Sequence, residues 1–189
     1  VIAVVGGHTR NIGKTSVVEA ILRQTPEANW TAVKVTQHGH GICANSGEPC
    51  GCETVPGCPV ALDEQRVPDS TDSGRFLAAG ACRAYWLRTA QGELARAIPA
   101  IRQLAASSVN IVFESNSLLQ FLKPDLYIAV VDFRSADRKL SFQRYADRAD
   151  AFVLTGGAGT AAWMTGKPVL AGLSEELGAI VREKLGILR

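Results

Sequence analysis

Ten consecutive residues, Gly7-His8-Thr9-Arg10-Asn11-Ile12-Gly13-Lys14-Thr15-Ser16, carry the groups needed to hold a polyphosphate. Glycines let backbone N–H groups approach an anion closely, Lys14 brings a mobile charge to β and γ phosphates, and the Thr15 hydroxyl suits Mg²⁺. The apolar run Val1-Ile2-Ala3-Val4-Val5 precedes this stretch and a helix-patterned one, Val17 to Leu22, follows it. In that order, strand, loop and helix aim the loop amides and the positive end of the helix dipole at the phosphates. The common pattern G-x-x-x-x-G-K-[ST] is stretched here, because five residues separate Gly7 from Gly13. A glycine-rich turn without a ligand is the plain alternative.

Further along, Lys34 lies at the end of the apolar strand Ala32-Val33-Lys34-Val35-Thr36-Gln37, where its ammonium either snorkels to water or points into the phosphate cleft. Asp72 opens Asp72-Ser73-Gly74-Arg75-Phe76-Leu77-Ala78-Ala79-Gly80-Ala81, as a helix cap, as a carboxylate holding Mg²⁺ through water, or as both. Glu114 closes the strand Ile111-Val112-Phe113, where a carboxylate would meet Mg²⁺ or an attacking water; Asp132, ending the next strand, is the competing acid. Four cysteines, Cys43, Cys50, Cys52 and Cys58, crowd one stretch behind His38 and His40. Four thiolates are enough for zinc or an iron–sulfur cluster, which would clip a long loop; free or oxidised thiols are the alternative. Cys82 reads as a small buried residue.

The elements that must position these groups alternate between strand and helix, which predicts a mostly parallel sheet with helices on both faces, an α/β fold in three layers. Expected strands are 1–6, 30–36, 83–89, 110–114, 126–132, 151–154 and 168–171. Expected helices are 14–24, 72–81, 92–106, 138–147 and 175–184, with Pro99 at a turn or kink. Residues 38–70, rich in Gly, Pro and Cys, lack periodicity and read as a long loop insert at the carboxyl edge of the sheet. The 189 residues suit a single domain. A net charge of +2 offers no reason to expect nucleic acid or an anionic membrane as a partner, and no apolar run approaches a membrane span. Val1 opens straight into a strand, with no room for a signal peptide, so a cytoplasmic location is expected.

The longer loop from Gly7 to Thr15 resembles those of dethiobiotin synthetase and the cobyrinate amidotransferases. That resemblance implies the P-loop NTPase fold and, within it, a dimer-forming class. A second lysine found early in some loops of that class is absent, and Arg10 does not match it. Lys34 with His38 and His40, Asp72-Ser73 with Arg75 and Ala79-Gly80-Ala81, and Glu114 are together similar to the molybdopterin-guanine dinucleotide biosynthesis protein B family. Glu114-Ser115 stands where that family has Glu-Gly.

This resemblance implies an Mg²⁺-dependent NTPase using ATP or GTP, a homodimer, acting with a cofactor-biosynthesis protein in molybdenum cofactor or metal-centre assembly. Lys14, Lys34, Asp72 and Glu114 would be its catalytic residues, and Thr15, Asp72 and Glu114 its Mg²⁺ ligands. A ligase or carboxylase like dethiobiotin synthetase, acting on a small acid, is a second possibility; a non-catalytic, metal-binding nucleotide switch is a third. No Asn-Lys-x-Asp guanine signature occurs, and Thr155-Gly156-Gly157 and Thr165-Gly166-Lys167-Pro168 are the expected surroundings of the base.

Overall fold

The computed structural model describes residues 1–39 and 59–187. His40, Cys43, Cys50, Cys52 and Cys58 lie outside the described residues, and so does the proposed thiolate cluster. Eight strands form one sheet: β1 (Ile2–Gly7), β2 (Trp30–His38), β3 (Val60–Gln65), β4 (Arg83–Ala90), β5 (Asn110–Glu114), β6 (Leu126–Asp132), β7 (Ala151–Gly156) and β8 (Val169–Ala171). Their order is β3-β4-β2-β5-β1-β6-β7-β8, parallel except for β3. Among the described residues the α-helices are α1 (Lys14–Gln24), α2 (Asp72–Ala78), α3 (Ile98–Ala106), α4 (Leu140–Gln143) and α5 (Glu176–Leu185). The expected mostly parallel, three-layer α/β architecture is the observed one.

β1 is covered on both faces, which explains its unbroken apolar run. Ala3 and Val5 point toward the layer of α1, α2 and α5, and Val4 toward the layer of α3 and α4. The chain leaves β1 through α1 toward β2 and returns on the other side to β6. The resulting crevice opens at the carboxyl end of β1, where open α/β sheets bind ligands.

α1 buries Val17, Val18, Ile21 and Leu22, and each such side chain contributes roughly 1.5–3 kcal/mol. It stops at Thr25, whose N–H and hydroxyl both donate to the Ile21 carbonyl at 3.0 and 2.7 Å, just before Pro26. Pro99 sits in the first turn of α3, where its missing N–H costs nothing.

Several expectations need correction. β2 runs on to His38, so Lys34 stands inside the strand and not at its end. The insert 38–70 contains β3, an antiparallel edge strand. Its exposed acids obscure any apolar alternation, and it is held by cross-strand pairs, Asp63 with Arg88 at 2.5 Å and Glu64 with Arg83 at 3.2 Å. The cap of α2 is Thr71, whose Oγ1 accepts from the Gly74 N–H at 3.1 Å, which leaves the Asp72 side chain free of that task. α2 ends before Ala81 because Gly80 takes φ +104°, a left-handed helix stop with open space around it. The expected helices at 92–106 and 138–147 are each broken into a 3-10 turn and a shorter α-helix. Cys82 is exposed, with Sγ 3.6 Å from Asn29 Oδ1.

Candidate phosphate-binding site

The loop leaves β1 through Gly6 and Gly7, which lie tightly against Asn116. A Cβ on Gly6 would fall 2.0 Å from Asn116 Oδ1, so only glycine fits there. Asn116 clamps the loop in both directions: the Gly7 N–H donates to its Oδ1 at 2.7 Å, and its Nδ2 donates to the Gly7 carbonyl at 2.5 Å. The loop then turns through Asn11 (φ 54°) and Gly13 (φ 90°), two residue types that tolerate the left-handed region.

Helix α1 begins without a cap. Its first intrahelical bond is the Val17 N–H to the Gly13 carbonyl at 3.0 Å. No side chain caps it, and no acid lies in its first turn. Among the described residues, the N–H groups of Lys14, Thr15 and Ser16 have no acceptor, an arrangement that suits an anion. The Lys14 ammonium folds back to the Thr9 carbonyl at 3.2 Å. Burial pushes its pKa down; nearby Glu114 offsets part of this and Lys34 adds to it.

Four expected site residues converge beside that helix end. Glu114 is buried at the end of β5, directly opposite Lys34 in the strand register. One carboxylate oxygen accepts from Lys34 Nζ at 2.7 Å and the other from the Thr15 hydroxyl at 2.8 Å. Asp72 Oδ2 lies 2.7 Å from the same ammonium. Burial alone would lower the Lys34 pKa, but Glu114 and Asp72 outweigh it and hold it above the ordinary value. Burial likewise acts to raise Asp72, and Lys34 and Thr15 overcome it, so its carboxyl titrates below its usual range. Arg75 backs the group, with Nε 2.8 Å from Glu19 Oε1 and Nη1 3.7 Å from Asp72 Oδ1.

A cleft of about 1080 Å³ is lined by residues 10–16 of the loop together with Lys34, Asp72, Arg75 and Glu114. A second cavity of about 390 Å³ lies on the far side of the loop, against Asp132, Arg134, Leu154, Thr155 and Leu173. Asn11, Ile12, Gly13 and Ser16 line both, so the loop is the wall between them.

Other expected residues are placed differently. Gly7, His8 and Thr9, the first residues of the loop, line neither cavity: the His8 side chain is buried and packs edge-on to Phe142, with ring centroids 5.9 Å apart. Burial lowers the pKa of His8, keeping the imidazole neutral. Asp132 is not in the large cleft. It grips Arg134 through both carboxylate oxygens, at 3.0 and 2.8 Å, which draws its pKa down to about 2. The buried His38 ring and residues 165–168 line neither cavity. Asn116 and Lys139, which line the large cleft, and Asp137, which accepts from the Thr9 hydroxyl, are residues that no motif announces.

Among the described residues, no group of three or more His, Cys, Asp or Glu side chains could hold a metal by itself, and no helix is long and apolar enough to cross a membrane. Comparison of the sequence with protein-family models and with curated proteins finds no match. Among solved structures, the chain is similar to LpxK from Aquifex aeolicus, crystallised in complex with ATP, with a TM-score of 0.51 and 16% identity. The match covers 89% of this chain and 52% of LpxK, so the chain spans about half the length of that protein. With the sheet order and the loop, this establishes a P-loop NTPase-like α/β fold.

Proposed function

We propose that the chain is an Mg²⁺-dependent nucleoside-triphosphate hydrolase that works with a partner protein in assembling a cofactor or metal centre, as the resemblance to the molybdopterin-guanine dinucleotide biosynthesis adaptors implies. The observation that carries the reading is the open amino end of α1, three N–H groups without acceptors, with Lys14 folded over it and Thr15 bonded to a buried acid. Lys14 and the loop amides hold the phosphates. The Thr15 hydroxyl with the Glu114 and Asp72 carboxylates suits Mg²⁺, which takes one or two carboxylates and keeps several waters. When bound, the ion would neutralise charge that develops on the phosphates. Glu114 orients the attacking water, and Lys34 keeps both acids ionised and in place.

The small cavity receives the base, between the apolar Leu154 and Leu173 and the polar Asp132, Arg134 and Thr155. LpxK was crystallised with ATP, which supports ATP ahead of GTP. The test is a thermal-shift screen of ATP and GTP with and without Mg²⁺. The expected result is a rise in melting temperature with Mg²⁺-nucleotide that Lys14→Ala removes; a full rise in that variant would take the loop out of the site.

One observation favours a second reading, an ATP-dependent ligase or carboxylase on a small acid. The large cleft continues past Lys34 to Thr36, Gln37, Trp86 and Gln91, beyond what a triphosphate fills. ADP release that depends on an added carboxylic acid would favour this reading, and hydrolysis stimulated by a partner protein the first.

A further inference from the structure

Lys139 reaches the large cleft from the segment that follows β6, on the other side of β1 from Lys34 in β2. Four contacts fasten that side of the sheet to the loop. The His8 N–H donates to the Val130 carbonyl at 3.1 Å, and the Lys139 N–H donates to the His8 carbonyl at 2.7 Å. The Asp132 N–H donates to His8 Nδ1 at 3.2 Å, and the Thr9 hydroxyl donates to Asp137 Oδ2 at 2.5 Å. The longer interval between Gly7 and Gly13 thus holds two residues, His8 and Thr9, that strap the Lys139 segment in place.

Among the described residues, the Lys139 ammonium has no ion-pair partner. Burial, then Lys14 and Arg10, push its pKa down to about 8. Asp137 offsets part of this. Among the described residues, Lys14, Arg10 and Lys139 line the large cleft without an ion pair, while Lys34 has two. Lys139 lines the large cleft with Thr15 and Glu114 and takes no part in the small cavity across the loop.

We infer that Lys139 is a second phosphate-binding lysine that contacts the terminal phosphate of the bound nucleotide, an inference that rests on the nucleotide site proposed above. It stands on the terminal side because the base-sized cavity lies behind the loop and Lys139 lies in front of it. Its contact would be made to ATP and not to ADP.

The experiment is calorimetric titration of the wild type, Lys14→Ala, Lys139→Gln and Lys139→Arg with Mg²⁺-ATP and Mg²⁺-ADP. The expected result for Lys139→Gln is a loss of about 10- to 100-fold in ATP affinity, the range for one charge-assisted contact, with ADP affinity unchanged and recovery in Lys139→Arg. Unchanged ATP affinity, or equal losses for ATP and ADP, would overturn the inference. If Lys14→Ala abolishes binding while Lys139→Gln leaves it intact, the nucleotide site stands and this role falls. If the wild type takes up neither nucleotide, both fall.

Discussion

The ammonium of Lys34 and the carboxylate of Glu114 lie 2.7 Å apart at facing positions of β2 and β5. Parallel neighbours in register present their side chains on one face, so the sheet itself sets this pair. Glu114 is almost wholly buried, and Asp72 approaches the same ammonium from α2. A lone carboxylate at that depth would be costly, and Lys34 is what makes it tolerable.

Lys34→Met should therefore destabilise the protein by about 3 kcal/mol, the usual penalty for leaving a buried charge unpaired. Adding Glu114→Gln should recover much of that loss, because the uncompensated charge disappears. Urea unfolding of the two single variants and the double variant measures the coupling. A double variant no more stable than Lys34→Met alone would contradict this account.

Glu114→Gln by itself should keep nucleotide binding and lose turnover. The amide retains an oxygen for one of its two hydrogen bonds but cannot orient or polarise water as a carboxylate does. The expected drop in single-turnover hydrolysis is about 10²- to 10⁴-fold. Hydrolysis within a few-fold of the wild type would move the catalytic acid elsewhere, with Asp72 the next to test.

Asn116→Ala should cost about 2–3 kcal/mol, because it strands both the N–H and the carbonyl of Gly7 in a buried place. The same variant should weaken nucleotide affinity, since the clamp fixes where the loop begins. Chemical denaturation and calorimetry read the two effects separately. Loss of affinity without loss of stability would show that Asn116 does not anchor the loop.

The pH dependence follows from Lys139. Its folded pKa is about 8 against an ordinary value of 10.5, so the charged form is disfavoured in the fold. The cost is fully present below about pH 8 and is relieved as pH rises from there toward the unfolded value. Without nucleotide, Lys139→Gln should be more stable than the wild type at pH 7, and the gap should narrow by pH 9.5. Thermal melts across that range check this; a gap that widens with pH would reverse the sign.

Much of the site is legible in the chain because its parts are local. Residues 7–16 announce a phosphate loop through glycine, lysine and threonine types alone, and α1 begins and ends at the residues its pattern implies. Glu114 and Asp132 stand out as acids closing apolar strands. Residues whose task is to hold others were not legible. His8, the second residue of the loop motif, turns inward to fasten a distant segment. β3 escaped because two of its six residues are acids and its order comes from β4 beside it.

The sequence alone determined which segments become strands and helices around the loop and which side chains have the chemistry for a phosphate and a cation. Short-range periodicity and backbone preferences encode those features. Tertiary structure decided which acid meets Thr15, 99 residues away, which lysine lies against Glu114 across 80, and that Asp137 holds Thr9 across 128. Those meetings depend on strand order and register, which are settled only when the two apolar faces of the sheet are buried together.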